Sequence, residues 1–185
     1  LMYGDSRMAA WEISPPPDIR LANAGINGAT TAQLRQRLPP LLEEFQPDVV
    51  VLQAGINDLK LVGVRPELEA ILVAQAATNL LEMSRDCLAH HSKVILLDTW
   101  PTGPPEWLRL PVWNRQVADA VSRLNTCLAA PMPGNAPFGL VDLLAEAGHQ
   151  PGPADYRDAL HFQPEFYRHL TPPLLRRIEK LSGPK

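Results

Sequence analysis

Long apolar runs and clusters of basic side chains are both missing from this sequence, and each absence excludes a class of protein. No stretch approaches the roughly 18 consecutive apolar residues that a membrane-spanning helix requires. Lysine and arginine number 17 against 20 acidic residues, for a formal net charge of −3, and no basic cluster offers a footprint for nucleic acid. We therefore expect neither a membrane span nor a nucleic-acid partner.

Cysteine is scarce. Cys87 and Cys127 are the only two, and neither lies in a Cys-x-x-Cys pattern. Three interpretations stay open: a structural disulfide, two buried thiols, or one reactive thiol. The neighbouring His90 and His91 end a predicted helix, where the helix dipole favours cations, and we expect no metal site there.

The composition that remains suits one globular domain, which we predict to span residues 1–185. A chain of 185 residues, 45% of them hydrophobic, is long enough to bury a full core. The chain begins at Leu1, apparently inside a strand, and we expect upstream residues to be missing from it. The lack of a signal peptide therefore says nothing about compartment, so both a cytoplasmic and an exported location stay open.

Apolar segments of strand length alternate with segments of helical periodicity along the chain. The run at 48–53 is continuously apolar, which is typical of a parallel strand covered on both faces. Proline pairs near positions 39 and 172 are expected to interrupt two helices. The alternation predicts an α/β fold with a mainly parallel, doubly wound sheet. Its five predicted strands are residues 1–3, 19–23, 48–53, 93–98 and 138–142.

Polar, turn-like segments directly follow the first three predicted strands. They are residues 4–6, 23–28 and 55–58, and a fourth polar segment at 158–161 follows the fifth strand. Ligands of doubly wound sheets bind at the carboxyl ends of the strands, near the point where the strand order reverses. We therefore expect these segments to meet at one site.

The residue types in these segments suit attack by a serine on a carbonyl group. Ser6 needs a base to become nucleophilic, and His161 is suited to that role. Asp158, three residues away on a turn, is placed to orient the imidazole. The backbone N–H groups of Ser6 and Gly28 and the Asn57 amide are candidate donors to the oxyanion.

Four blocks occur in an order and spacing that resemble the SGNH (GDSL) hydrolase family: GDS at 4–6, NAGINGAT at 23–30, GIND at 55–58 and DALH at 158–161. The resemblance covers nearly the whole chain. It implies a flavodoxin-like, three-layer α/β/α fold, no metal or cofactor, and hydrolysis of esters or thioesters.

By that resemblance Ser6 is the nucleophile, Asp158 and His161 complete a catalytic triad, and Gly28 and Asn57 belong to the oxyanion hole with Ser6. Two positions depart from the family pattern. Arg7 stands where the first block usually continues with leucine or isoleucine. In the last block, alanine at position 159 takes the place of the more common glycine.

Each block also has a structural interpretation without catalysis. Residues 4–6 alone are typical of an ordinary turn, and Asn57 with Asp58 is typical of an Asx turn. The segment 23–28 resembles a phosphate-cradling turn, but it lacks the Gly-x-Gly-x-x-Gly pattern and a Walker lysine. The alternative for the last block is a turn-capping aspartate beside a surface histidine.

Four further residues are candidates for the substrate cleft. Trp100 and Trp107 lie among prolines in the loop after the fourth predicted strand and are expected either to wall a cleft or to pack in the core. Arg7 is expected to pair with an acid such as Glu12 or Asp58, or to contact a polar substrate. Asp58, the last residue of the third block, is the fourth candidate.

The function we expect is that of a serine esterase acting on a small-molecule ester, with short acyl or O-acetyl groups on a carbohydrate or lipid as candidates. An acyltransferase that uses the same triad to acylate a sugar or lipid hydroxyl is the first alternative. A carbohydrate-binding module without turnover is the second. Acyl length and oligomeric state are not encoded in recognisable motifs.

Overall fold

The computed structural model describes residues 1–130 and 138–183. At the centre of these residues lies a four-stranded, all-parallel sheet in the order β1-β2-β3-β4. The strands are β1 (Met2–Gly4), β2 (Val49–Gln53), β3 (Lys93–Leu97) and β4 (Leu140–Val141). The helices are α1 (Ser6–Ala9), α2 (Thr31–Phe45), α3 (Ile56–Leu59), α4 (Glu69–Ala89), α5 (Arg115–Ala129), α6 (Leu143–Ala147) and α7 (Pro164–Ser182).

The sheet is buried on both faces, as the apolar run of β2 predicts. Val50 and Leu52 point into a core shared with α2, α4 and α5, whereas Val49 and Val51 point into a second core formed with α1 and α7. Side chains of a strand alternate between the two faces, so an unbroken apolar strand requires a helical layer on each. The predicted α/β fold with a parallel sheet is confirmed.

The predicted second strand is largely absent, so the expectation of five strands is wrong. Residues 19–23 contribute one parallel bridge, between Asn23 and Met2. The Met2 N–H donates to the Ala22 carbonyl at 2.8 Å, and the Ala24 N–H donates to the Met2 carbonyl at 2.9 Å. The segment runs along the outer edge of β1 but pairs too briefly to form a strand. With this edge segment the spatial order is edge segment-β1-β2-β3-β4. If the segment is counted as the second strand along the chain, this is the flavodoxin-like order 2-1-3-4-5.

Two proline pairs lie inside continuous helices, which contradicts the predicted interruptions. Pro39 and Pro40 lie within α2, and Pro172 and Pro173 lie within α7. A proline inside a helix costs about 3 kcal/mol, but packing of the flanking turns outweighs it. The buried side chains on either side of the pairs are Leu34, Leu38 and Leu42 in α2 and Leu170, Leu174 and Ile178 in α7.

The turn after β1 passes unusually close to the end of β2. A Cβ atom on Gly4 would lie 1.9 Å from the Gln53 carbonyl oxygen, so only glycine fits there. The Asp5 N–H donates to the same carbonyl at 3.3 Å. This contact fixes the point where β1 ends and α1 begins, between the edge segment and β2, where ligands of such sheets bind.

The two cysteines differ in environment, and both are free thiols. Cys87 is buried in α4, and burial raises its pKa to about 12. Cys127 is exposed on α5. The disulfide interpretation is therefore wrong, and only one of the two thiols is buried.

Within the described ranges, no helix combines the length and apolar character needed to cross a membrane. The same residues contain no group of three or more His, Cys, Asp or Glu side chains placed to hold a metal ion.

Candidate active site

Ser6 is the first residue of α1 and lies at the carboxyl end of β1. Asp5 caps the helix, because its Oδ1 accepts the Arg7 N–H at 3.0 Å. The first N–H groups of a helix have no partner within it and carry partial positive charge. The Ser6 side chain therefore lies beside N–H groups whose partial positive charge favours a developing negative charge.

His161 meets Ser6 although the two residues are 155 positions apart. The His161 Nε2 lies 2.8 Å from the Ser6 Oγ. A narrow turn presents the imidazole: the Arg157 N–H donates to the His161 carbonyl at 2.8 Å, and Tyr156 forms an antiparallel bridge with Phe162. The distance is within hydrogen-bond reach, the geometry that proton transfer between a nucleophile and a base requires.

Asp158 holds the other nitrogen of the same imidazole. The His161 Nδ1 lies 2.8 Å from Oδ2 and 3.0 Å from Oδ1 of Asp158. Oδ1 also accepts the N–H groups of Leu160 at 2.8 Å and His161 at 2.9 Å. Burial raises the pKa of Asp158, but these hydrogen bonds outweigh burial and hold the pKa below its ordinary value. The carboxylate is thus charged at neutral pH and favours the tautomer with hydrogen on Nδ1.

Gly28 and Asn57 lie on two segments that the fold brings together. Gly28 has a positive φ of 73°, a conformation that strains any other residue. The Asn57 Nδ2 donates to the Ala29 carbonyl at 3.1 Å. An amide nitrogen carries two hydrogens, so this bond orients the Asn57 side chain and leaves one donor for a ligand.

Asp58, one of the cleft candidates, holds the start of α2 through Thr31. Its carboxylate accepts the backbone N–H of Thr31 at 2.9 Å and the Thr31 hydroxyl at 2.6 Å. Burial raises the pKa of Asp58, and the bonds from Thr31 partly oppose this. No sequence motif identifies Thr31 as the partner of Asp58, because the two residues are 27 positions apart.

Arg7 is fully buried, which does not suit contact with a substrate, and its guanidinium contacts backbone groups instead of an acid. Its guanidinium donates to three backbone carbonyls, those of Leu160, Trp100 and Pro101. Among the described residues, the ion pairs include none between Arg7 and an acid such as Asp58. Every residue has a backbone carbonyl, so these contacts could not be predicted from a sequence motif.

The two tryptophans considered as cleft walls lie in opposite environments. Trp100 is 0% exposed and packs against Trp11, Phe162 and Tyr167, with ring centroids 5.4–6.2 Å apart. Of the two roles weighed for it, the structure supports core packing. Trp107 is 76% exposed, which does not suit the wall of an enclosed cleft.

Two carboxyl groups, those of Asp5 and Asp98, are buried, which the sequence did not predict. Burial raises the pKa of Asp5 to about 6, an effect that the charge of Arg7 partly opposes. Burial also raises the pKa of Asp98 to about 7, and the nearby charge of Asp142 adds to the effect. Both directly follow buried strands, β1 and β3.

Comparison with known proteins agrees with this architecture. Residues 5–169 match the sequence pattern of the GDSL-like lipase/acylhydrolase family. Esterase TesA of Pseudomonas aeruginosa is 41% identical over 80 residues, which cover 43% of this chain and 36% of TesA. The matched segment thus spans little more than a third of that relative.

Solved structures extend the likeness over the whole chain. The lipase/acylhydrolase from Enterococcus faecalis superposes with a TM-score of 0.70 at 24% identity, covering 100% of this chain and 96% of that one. A crystal structure of TesA gives a TM-score of 0.64 at 26% identity, covering 97% of both chains. Since the family match includes most of the chain and the fold agrees throughout, the chain belongs to the GDSL-like lipase/acylhydrolase family.

Proposed function

We propose that this protein is a serine hydrolase that cleaves carboxylic esters through an acyl-enzyme on Ser6. The observation that carries the proposal is the continuous chain of contacts from the Ser6 Oγ through His161 to Asp158, with both linking distances at 2.8 Å. Membership of the GDSL-like lipase/acylhydrolase family and the similarity to esterase TesA support the same chemistry.

Acylation begins when the His161 Nε2 accepts the Ser6 hydroxyl proton while the Ser6 Oγ attacks the ester carbonyl carbon. Negative charge moves to the carbonyl oxygen, where the N–H groups of Ser6 and Gly28 and the Asn57 amide stabilise it. Collapse of the tetrahedral intermediate breaks the bond to the alcohol. His161 gives its proton to the departing oxygen, and an acyl group remains on Ser6.

Deacylation repeats these steps with water in place of the serine. His161 takes a proton from the water, whose oxygen attacks the acyl carbon, and the same donors stabilise the second oxyanion. The carboxylic acid leaves as Ser6 regains its proton. Asp158 stays ionised throughout and stabilises the imidazolium that forms in each half-reaction.

Short acyl or O-acetyl esters, on a carbohydrate or a lipid, are the proposed substrates. Cavity volume does not define the acyl length. A cavity of about 520 Å³ lies at the amino ends of β1 and β2, and one of about 660 Å³ lies between α4 and α5. Neither contains Ser6, Asp158 or His161, so a series of p-nitrophenyl esters from acetate to palmitate is needed to define chain length.

Transfer of the acyl group to a sugar or lipid hydroxyl has no observation in its favour. A dry cleft walled by Trp100 and Trp107 would favour transfer over hydrolysis. The first of these is buried in the core, and the second is exposed to solvent. Binding of carbohydrate without turnover is opposed by the complete set of contacts around His161.

Hydrolysis of p-nitrophenyl acetate by the wild-type protein and by Ser6→Ala tests the proposal. Removing the nucleophile is expected to lower kcat by at least about 10³-fold. Thr126→Ala is a suitable control, because it removes an exposed hydroxyl on α5 that donates to the Ser122 carbonyl within the same helix. Equal rates for wild type and Ser6→Ala would end the proposal.

A further inference from the structure

The residue after the proposed nucleophile carries a buried positive charge that needs compensation. Arg7 has no exposed surface, and it forms no ion pair with any described residue. Removing a guanidinium from water costs several kcal/mol unless its donors are satisfied. The partners of those donors therefore indicate what Arg7 contributes.

Three backbone carbonyls from two distant segments accept these hydrogen bonds. The Arg7 Nε donates to the Leu160 carbonyl at 2.9 Å. Its Nη1 and Nη2 donate to the carbonyls of Trp100 and Pro101 at 2.5 and 2.9 Å. The planar guanidinium holds these donors in a fixed geometry, so the three bonds define the relative position of the segments.

The Leu160 carbonyl is one peptide bond from His161, within the turn that carries both Asp158 and His161. The other two carbonyls belong to the segment after β3, which also supports that turn. The Gly103 N–H donates to the Ala159 carbonyl at 3.0 Å. Arg7 thus lies where the segment after β1, the segment after β3 and the His161 turn meet.

We propose that Arg7 is a positioning residue, which anchors the His161 turn to the Ser6 turn and so keeps Nε2 within proton-transfer distance of Oγ. The proposal rests on the esterase function proposed above. Complete burial keeps the guanidinium away from substrate, so it acts through His161 and not on the ester. Reacting groups lose efficiency steeply with distance, and a displacement of about 1 Å costs about 10²-fold in rate.

Two substitutions distinguish the effect of the three hydrogen bonds from the effect of side-chain size. Arg7→Met keeps an unbranched apolar stem and removes every donor. Arg7→Lys keeps the charge, but its single ammonium group cannot donate to the three carbonyls in the planar arrangement of a guanidinium. Leu174→Ala is the matched control, because it destabilises the core that α7 and α1 share without removing a hydrogen-bond donor.

The measurements are kcat and KM for p-nitrophenyl acetate, and the rate constant for Ser6 phosphonylation by a fluorophosphonate. For Arg7→Met, kcat and the phosphonylation rate are both expected to fall about 10²-fold, with KM within about 3-fold of wild type. Arg7→Lys is expected to lose about 10-fold in kcat, and folded Leu174→Ala less than about 3-fold.

An Arg7→Met protein with kcat within about 3-fold of wild type would overturn the anchor. So would a loss in Leu174→Ala as large as that in Arg7→Met, because general destabilisation would then explain both. If Arg7→Met does not fold, Arg7→Lys decides, and an unchanged kcat there overturns the proposal. Inactive wild type would instead refute the esterase function, so the two failures are distinguishable.

Discussion

The carboxylate of Asp58 accepts both the backbone N–H and the side-chain hydroxyl of Thr31, at 2.9 and 2.6 Å. The two residues join α3, which follows β2, to the start of α2. Asn57 directly precedes Asp58, and Gly28 lies three residues before Thr31. The pair therefore links the two segments that carry the proposed oxyanion donors.

Replacing Asp58 by alanine is expected to lower kcat for p-nitrophenyl acetate by about 10-fold, because loss of one oxyanion donor costs about 10²–10³-fold and a loosened donor costs less. Asp119→Ala is the control, since that carboxylate lies on the exposed side of α5 and pairs with Arg115 at 3.9 Å. Equal kcat in the two variants would show that the Asp58–Thr31 pair does not support the site.

Asp158 is expected to matter through the tautomer of His161. Asp158→Asn should lower kcat by about 10³–10⁴-fold while leaving the fold intact, because the amide favours the wrong imidazole tautomer. Steady-state kinetics with circular dichroism as a check on folding measures this. Asp155→Asn is a matched control, since Asp155 also contacts a histidine, His149, at 3.2 Å. A similar loss in both variants would contradict the role of Asp158.

The buried carboxyl group of Asp98 should make stability depend on pH. Its pKa is raised from 3.8 to about 7 by burial and by the charge of Asp142. Between these pH values the native state binds more protons than the unfolded chain, so the free energy of unfolding falls as pH rises. For one proton the slope is at most about 1.4 kcal/mol per pH unit.

Urea unfolding of wild type and Asp98→Asn across that pH interval measures the effect. The stability of wild type relative to the variant should decrease from low to neutral pH, because the amide does not titrate. Groups common to both proteins, Asp5 among them, cancel in the difference. A constant difference would show that Asp98 ionises alike in the native and unfolded states.

The two tryptophans of the loop after β3 should differ in their effect on stability. Trp100→Ala is expected to lower the free energy of unfolding by about 3–5 kcal/mol, because it empties a packed aromatic site. Trp107→Ala should change it by no more than about 0.5 kcal/mol, since an exposed side chain buries little surface. Urea denaturation of both variants tests this, and equal losses would contradict the packing of Trp100.

Much of the fold could be predicted because it depends on local patterns. The continuous apolar run of β2 required helices on both faces, and these are present. The edge segment at 19–23 was overestimated because its residues favour a strand while its tertiary contacts allow one bridge. Pro39 and Pro40 failed as helix breakers because tertiary packing of α2 outweighed a local preference.

The candidate site was likewise predictable only in part. The positions of Ser6, Asp158 and His161 follow from motifs that place polar residues after strands. The partners of Arg7 and Asp58 do not, because they are backbone groups or a residue 27 positions away. A carbonyl group is present at every position and identifies none, so only the folded chain reveals which carbonyls a buried guanidinium reaches.

Labelling by a fluorophosphonate tests most directly whether the Ser6 hydroxyl is activated by His161. Wild type and His161→Ala are incubated with the reagent, and modified peptides are identified by mass spectrometry. We predict one phosphonyl group on Ser6 in wild type and labelling at least about 10²-fold slower in His161→Ala. An unmodified Ser6 in wild type, or equal labelling rates in the two proteins, would contradict activation of Ser6 by His161.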